Sequence, residues 1–167
     1  LLNLGSSCMY PRNIDVPMKE NLILNGELEP TNEGYALAKI ISTKLCEYVS
    51  NQAHKFQYKT IIPCNLYGKF DNFSIERSHL IPSIIYKIDK AVENNSNTVE
   101  IWGDGSIKRE FMYAKDLAEA ISLFINDFDQ QPLIMNIGCG KDYTIKEYYE
   151  TAAKIIGYRG KFKYNLS

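Results

Sequence analysis

The sequence predicts an α/β fold with parallel strands. Short apolar runs of strand length alternate with longer stretches of helical periodicity along the chain. The chain shows neither an internal repeat nor a low-complexity segment. Its 167 residues suffice for one domain, or part of one, with a real core.

Residues 1–5, "LLNLG", lie within an apolar run that reads as a buried strand. Leu1 is not a methionine, and chains rarely open inside a core strand, so the sequence is expected to be a fragment. The stretch 8–32 holds Pro11, Pro17, Gly26 and Pro30 and is too long for a simple connection, which marks a functional or disordered loop. Tyr35, Ala38, Ile41, Leu45 and Val49 then recur at helical spacing and predict a helix over 34–53. "YKTIIPCNLYG" (58–68) reads as a strand running into a loop, with Pro63 ending the ladder. A helix over 80–94 starts near Pro82 and stops in the Asn-rich "ENNSN". "TVEIWGDG" (98–105) is a strand closed by a Gly-Asp-Gly turn. A helix (115–127), the strand "PLIMNIG" (132–138) and a helix (144–156) capped by Thr144 complete the series.

Composition excludes several functions. An apolar content of 45% and a charged content of 23% are those of an ordinary soluble globular chain. The net charge of −1 provides no basic footprint for nucleic acid and no polybasic anchor for a membrane. No apolar run approaches a membrane span. Cys8, Cys46, Cys64 and Cys139 form no Cys-x-x-Cys, and there are only 2 histidines. Neither a metal site nor a disulfide framework is expected, and reduced thiols in a cytoplasmic protein are. His54, at a polar helix end, reads as a surface residue.

"NEGYALAK" puts Tyr35 and Lys39 on one helical face, four residues apart. Tyr86 and Lys90 repeat that spacing, so the pair alone is only permissive. Chain order adds what spacing lacks. Ser6 and Ser7 leave the first strand at its carboxyl end, Pro63 to Gly68 leave the second, and the Tyr35 helix begins at the same end. Ligands of open parallel sheets sit outside the carboxyl ends of the strands, so these segments are expected to share a crevice. The alternative is a solvated surface pair. Tyr86 and Lys90 follow no serine-bearing strand.

Taken in series, "GSSCMYP", "EPTNEGYALAK", "PCNLYG", "DNF", "SHLIP", "WGDGSIKREF" and "NIG" resemble the extended short-chain dehydrogenase/reductases that act on nucleotide sugars. Within them, the resemblance is to the NADPH-dependent epimerase-reductases of GDP-4-keto-6-deoxymannose. It implies the C-terminal part of a Rossmann-like parallel sheet over 1–72, then a smaller substrate-binding domain over 73–167 from which a strand or helix returns to the sheet. It implies 3,5-epimerisation and reduction at C4, with NADPH as cofactor, a GDP-sugar as substrate and a homodimeric parent enzyme. Ile40, Ile41 and Leu45 around the Tyr35 helix permit such a dimer. The first βαβ units, with their pyrophosphate-binding turn, would precede residue 1, and a further substrate-gripping acid would follow residue 167. Cofactor binding by this stretch alone is therefore expected to be weak, and a non-catalytic module is the competing reading.

The resemblance also assigns roles. A phenol relays protons poorly near neutrality unless its anion is stabilised, and an ammonium beside it does this. Tyr35 is thus the proton donor, and Lys39 its partner and the holder of the nicotinamide ribose. Ser6 would hydrogen-bond the keto oxygen. Leu4, Gly5, Ser6, Ser7, Pro63, Cys64, Asn65 and Leu66, with His79, would line the cofactor, largely through backbone groups. Cys8 is the base and His79 the acid, because inverting a stereocentre beside a ketone needs proton removal from one face and delivery to the other. An inert buried thiol and a structural histidine are the alternatives. Trp102 and Arg109 would hold the GDP-sugar, and Lys87 stands where many members carry arginine, keeping the charge without the bidentate geometry. Core packing is the alternative for Trp102. Asp116 reads as a helix-terminal or structural carboxylate, and Tyr113 occupies a position where the family often has histidine.

Overall fold

The computed structural model describes residues 1–14, 17–52, 55–74 and 77–166. His54 lies outside them. The chain runs β1 (Leu2–Leu4), α1 (Glu33–Gln52), β2 (Lys59–Pro63) and β3 (Asn65–Tyr67). Then come α2 (Leu80–Glu93), β4 (Thr98–Trp102), β5 (Lys108–Arg109) and β6 (Phe111–Tyr113). α3 (Ala114–Asn126), β7 (Ile134–Ile137), β8 (Tyr143–Thr144), α4 (Ile145–Ile156) and β9 (Lys161–Asn165) follow. Two compact units result. The first comprises Leu1–Leu66 and Met112–Cys139, and the second Tyr67–Phe111 and Gly140–Ser167. The sequence reading put the boundary at 72/73 with a strand or helix returning to the sheet; the chain leaves the first unit after Leu66 and re-enters it at Met112.

The first unit is built on a parallel sheet in the order β1-β2-β7. β2 is central, and its residues Lys59 to Ile62 are all buried, as expected of a strand covered on both faces. Successive side chains alternate between faces. Ile62 packs with Met9, Tyr10, Ile23 and Ile40, and Ile61 with Met112, Leu117 and Phe124. Pro63 is the last residue of β2, as expected. It stands in register with Ile137, and the Cys64 amide donates to the Ile137 carbonyl at 2.9 Å.

α1 presents a different face to the sheet from the one its large apolar residues suggest. Its buried residues are Ala36, Ile40, Thr43 and Cys46, whereas Tyr35, Ala38, Ile41 and Leu45 are exposed. Small and polar residues let the helix sit close to the strands. Asn3 Nδ2 donates to the hydroxyls of Thr43 (3.5 Å) and Thr60 (3.1 Å), and the Thr43 hydroxyl donates to Met9 Sδ at 3.5 Å. These polar groups are therefore satisfied beneath the helix.

The irregular stretch after β1 is tied down by short 3-10 turns at Ser7–Met9, Glu20–Leu22 and Pro30–Asn32. Tyr10 donates to Asn136 Oδ1 at 2.7 Å, while Asn136 Nδ2 donates to the Met18 carbonyl at 2.8 Å. Burial pushes the Tyr10 phenol up to about 12, against the lowering effect of the Asn136 bond.

In the second unit α2 and α4 pack over the parallel pair β4–β9, around Ile84, Ile88, Val99, Ile101 and Tyr149. β9, "KFKYN", was not foreseen, because it is too charged to read as an apolar run. The turn after β4 places Gly103 (φ 74°) and Gly105 (φ 75°) in the left-handed region, which explains the glycine pair. Thr144 caps α4 as expected, in a reciprocal capping box with Glu147. The Thr144 amide and hydroxyl hold the Glu147 carboxyl below the usual range. No helix among the described residues is long and apolar enough to cross a membrane.

Lys59, the first residue of β2, is 4% exposed and closes the amino-terminal end of the first sheet. Its ammonium donates to the carbonyls of Phe128, Asp129 (3.2 Å) and Gln131 (2.6 Å). Lys59→Met leaves these oxygens without their donor and should lower the unfolding free energy by about 2–4 kcal/mol. Chemical denaturation of the 167-residue chain measures this, and a loss below about 0.5 kcal/mol would show the cage to be incidental.

Candidate active site

The site begins where β1 ends. The Gly5 amide donates to the Ile61 carbonyl at 2.8 Å. A Cβ on Gly5 would lie 2.8 Å from Met9 Cε and 3.0 Å from Ile62 Cγ1, so any side chain there would force the buried Met9 to shift. Ser6 caps the 3-10 turn Ser7–Met9, its Oγ accepting from the Cys8 amide at 3.3 Å. Ser6 and Cys8 are thus fixed on one tight turn, and the hydrogen of the Ser6 hydroxyl remains available to donate. Cys8 is half-buried, and its sulfur accepts from Asn32 Nδ2 at 3.3 Å.

α1 brings up Tyr35 and Lys39. Lys39 Nζ donates to the Leu4 carbonyl at 2.8 Å and lies 5.7 Å from the centroid of the Tyr35 ring. One cation therefore touches both the end of β1 and the first turn of α1. Tyr35 is 52% exposed, so its phenol can be reached. The pair Tyr86 and Lys90 has almost the same geometry, 5.8 Å from nitrogen to ring centroid, but Lys90 forms an ion pair with Glu93. Spacing alone does not distinguish the two pairs; the partner of the cation does.

Several backbone groups expected at the cofactor are already engaged. The Leu4 carbonyl is held by Lys39, and the Ser6 and Ser7 carbonyls accept from Met9 and Tyr10. The amides of Gly5 and Cys64 belong to the sheet. Pro63 closes β2, Asn65 is exposed, and Leu66 packs against the cluster of Ile61 and Met112. The cavity lined by Pro11, Arg12, Ile14, Leu22 and Glu27 includes none of the expected residues.

The second unit holds the remaining candidates. His79 is exposed at the N-cap of α2, where its side chain makes no capping bond. Trp102 is 72% exposed, which rules out core packing. Its Nε1 donates to Glu100 Oε1 at 3.0 Å, and Lys87 Nζ stands 4.7 Å from the indole centroid. Lys87 also donates to the Glu100 carbonyl at 3.4 Å, and burial lowers its pKa against the raising effect of Glu100. Arg109 is exposed on β5, its Nη1 donating to the Lys108 carbonyl at 2.9 Å. Asp116 lies in the first turn of α3, whose N-cap is Tyr113. Sequence reading missed Glu100 and Asn32. Strand periodicity could have found Glu100, two residues before Trp102 on the same face. Nothing local announces Asn32, which meets Cys8 across 24 residues.

The family model described as "NAD dependent epimerase/dehydratase family" matches residues 1–138. A GDP-L-colitose synthase of Yersinia pseudotuberculosis is 59% identical over 167 residues, covering all of this chain and 54% of that protein. A GDP-L-fucose synthase of Azorhizobium caulinodans is 52% identical over the same length, 53% of its own. A solved GDP-mannoheptose C4 reductase from Campylobacter jejuni with NADP bound matches with a TM-score of 0.88 at 29% identity, covering 98% of this chain and 59% of that one. The chain spans about half the length of the curated relatives it matches.

Trp102 is the single tryptophan and reports on Lys87 directly. Because the Lys87 pKa is lowered, its ammonium should lose its proton below the ordinary lysine range as pH rises, ending the cation–π contact. Trp102 emission should show a step at that pH, absent from Lys87→Met. A step of the same size in the variant would detach the lysine from the indole.

Proposed function

Because the chain belongs to the NAD dependent epimerase/dehydratase family, we propose that it carries the catalytic and sugar-gripping half of a GDP-L-fucose synthase. The parent reaction is 3,5-epimerisation of GDP-4-keto-6-deoxymannose and NADPH-dependent reduction at C4. One observation carries this reading: Lys39 joins the Leu4 carbonyl at 2.8 Å and so sets the Tyr35 helix against the Ser6–Cys8 turn. Identities of 59% and 52% to GDP-sugar synthases support the substrate class.

Lys39 has three N–H donors and spends one on Leu4, so its donor set fits a ribose diol. When bound, the dinucleotide supplies the hydride for C4. The Ser6 hydroxyl donates to the keto oxygen. Tyr35 protonates the oxygen left at C4, and the Lys39 charge stabilises the resulting phenolate. Before reduction, Cys8 removes a proton from each carbon flanking the ketone, and His79 delivers one to the opposite face. Trp102, backed by Lys87, offers a flat apolar surface to the GDP-sugar, and Arg109 offers its guanidinium to the phosphates. The GDP-L-colitose synthase relative favours a second reading, another GDP-sugar epimerase-reductase; product analysis with GDP-4-keto-6-deoxymannose separates the two.

The parent enzyme is a homodimer in this reading. Leu37, Ile41, Leu45 and Tyr48 form an exposed stripe on α1 at helical spacing, while Ile40 is turned into the core. The free thiols suit the reducing cytoplasm.

In the full-length enzyme, Cys8→Ser should cut solvent-deuterium incorporation beside the ketone by about 100-fold or more, while an already epimerised keto sugar is still reduced. Unchanged incorporation would remove Cys8 from the chemistry. Ile41→Glu should convert the dimer into monomers in analytical ultracentrifugation, and a dimer that survives this change uses another surface.

A further inference from the structure

We propose that Asn32 is a positioning residue for Cys8, its amide N–H aimed at the sulfur so as to hold it in place and favour its ionised form. The proposal rests on the reading of Cys8 as the base. In that step the C–H bond beside the ketone breaks, an S–H bond forms, and the electron pair passes into the enolate on the C4 oxygen. A base that must begin as thiolate and end as thiol benefits from a donor that binds the anion more strongly.

The geometry carries this. Asn32 Nδ2 donates to Cys8 Sγ at 3.3 Å, while Oδ1 of the same amide is buried and has no hydrogen-bond partner among the described residues. An unpaired buried acceptor is costly, so this amide is not there for stability alone. Nor does it serve its own turn. Asparagine in turns commonly bonds the nearby backbone. In Pro30–Asn32 that task falls to Glu29, whose carboxylate accepts from the Thr31 amide at 3.5 Å. The Cys8 backbone is separately fixed by Ser6, which leaves the sulfur's direction to Asn32. α1, packed against the Cys8 turn, contributes Glu33, Tyr35 and Lys39, and the turn before it contributes Glu29. Lys39 donates to the Leu4 carbonyl and Glu29 accepts from Thr31, whereas the Asn32 amide is in direct contact with the sulfur.

The test uses the full-length enzyme with Asn32→Ala and Asn32→Asp. Alkylation of Cys8 by iodoacetamide at neutral pH is followed by peptide mass spectrometry, with exposed Cys139 as internal control. Losing the donor should slow Cys8 alkylation about tenfold. The near-isosteric Asn32→Asp should slow it further, because it brings a negative charge to the sulfur. A packing role predicts the opposite sign, since a smaller residue uncovers the thiol and speeds alkylation. Faster or unchanged alkylation therefore overturns the proposal. Should Asn32→Ala fail to fold, Asn32→Asp decides by the same sign. Solvent-deuterium incorporation should fall more than reduction of an already epimerised substrate, and equal losses overturn the positioning role. The alkylation measurement does not depend on turnover. An epimerase reading that failed with Cys8→Ser would therefore show separately from a failed coupling between Asn32 and Cys8.

Discussion

A Cβ does not fit at Gly5. Met9, completely buried, and Ile62 close on that position from two sides, and the Ile61 carbonyl takes the Gly5 amide. This close approach folds the chain back at the end of β1, so that Ser6 caps the following turn and Cys8 rides on it. A larger residue would push Met9 out of the layer between sheet and helix, and with it the Thr43 hydroxyl that reaches its sulfur. The candidate serine and thiol are therefore positioned by a packing constraint one and three residues before them.

Polar groups finish what packing begins. Asn3 satisfies hydroxyls beneath α1, Lys39 reaches across to the Leu4 carbonyl, and Asn136 ties the irregular stretch to β7 through Tyr10 and Met18. Each bond contributes little net stability, yet leaving such groups unpaired under a helix would be costly. This asymmetry explains why the described residues of the stretch 8–32, which reads as irregular in sequence, gather around Met9, Tyr10 and Ile23. The second unit works differently. Its candidate residues stand on separate elements, and Trp102, on an exposed strand face, is steadied by one carboxylate and one cation rather than by burial.

Much of the layout was legible in the sequence because local signals coincide with the fold. The helices over 80–94, 115–127 and 144–156 lie within two residues of their observed bounds, and Thr144 caps the last of them. The longer strands are separated by helices as the apolar runs suggest, and the β1-β2-β7 sheet is parallel, whereas the short β5 and β8 pair antiparallel. The inward face of α1 was not legible. Periodicity weights large apolar residues, whereas close packing selected Ala36, Ile40, Thr43 and Cys46. β9 was missed because its apolar residues are too few to outweigh its lysines.

The sequence by itself singled out candidates: order along the chain marks Ser6, Tyr35 and Lys39, and the resemblance of the motifs adds Cys8, His79 and Trp102. Tertiary structure alone decided which of them are engaged and by what. It gave Lys39 a carbonyl where Lys90 has a carboxylate, turned Ile40 inward, left Trp102 in solvent, and brought Asn32 to the sulfur of Cys8. The physical reason is that such contacts join residues far apart in the chain. Their partners are set by backbone approach and side-chain volume, which no local pattern encodes.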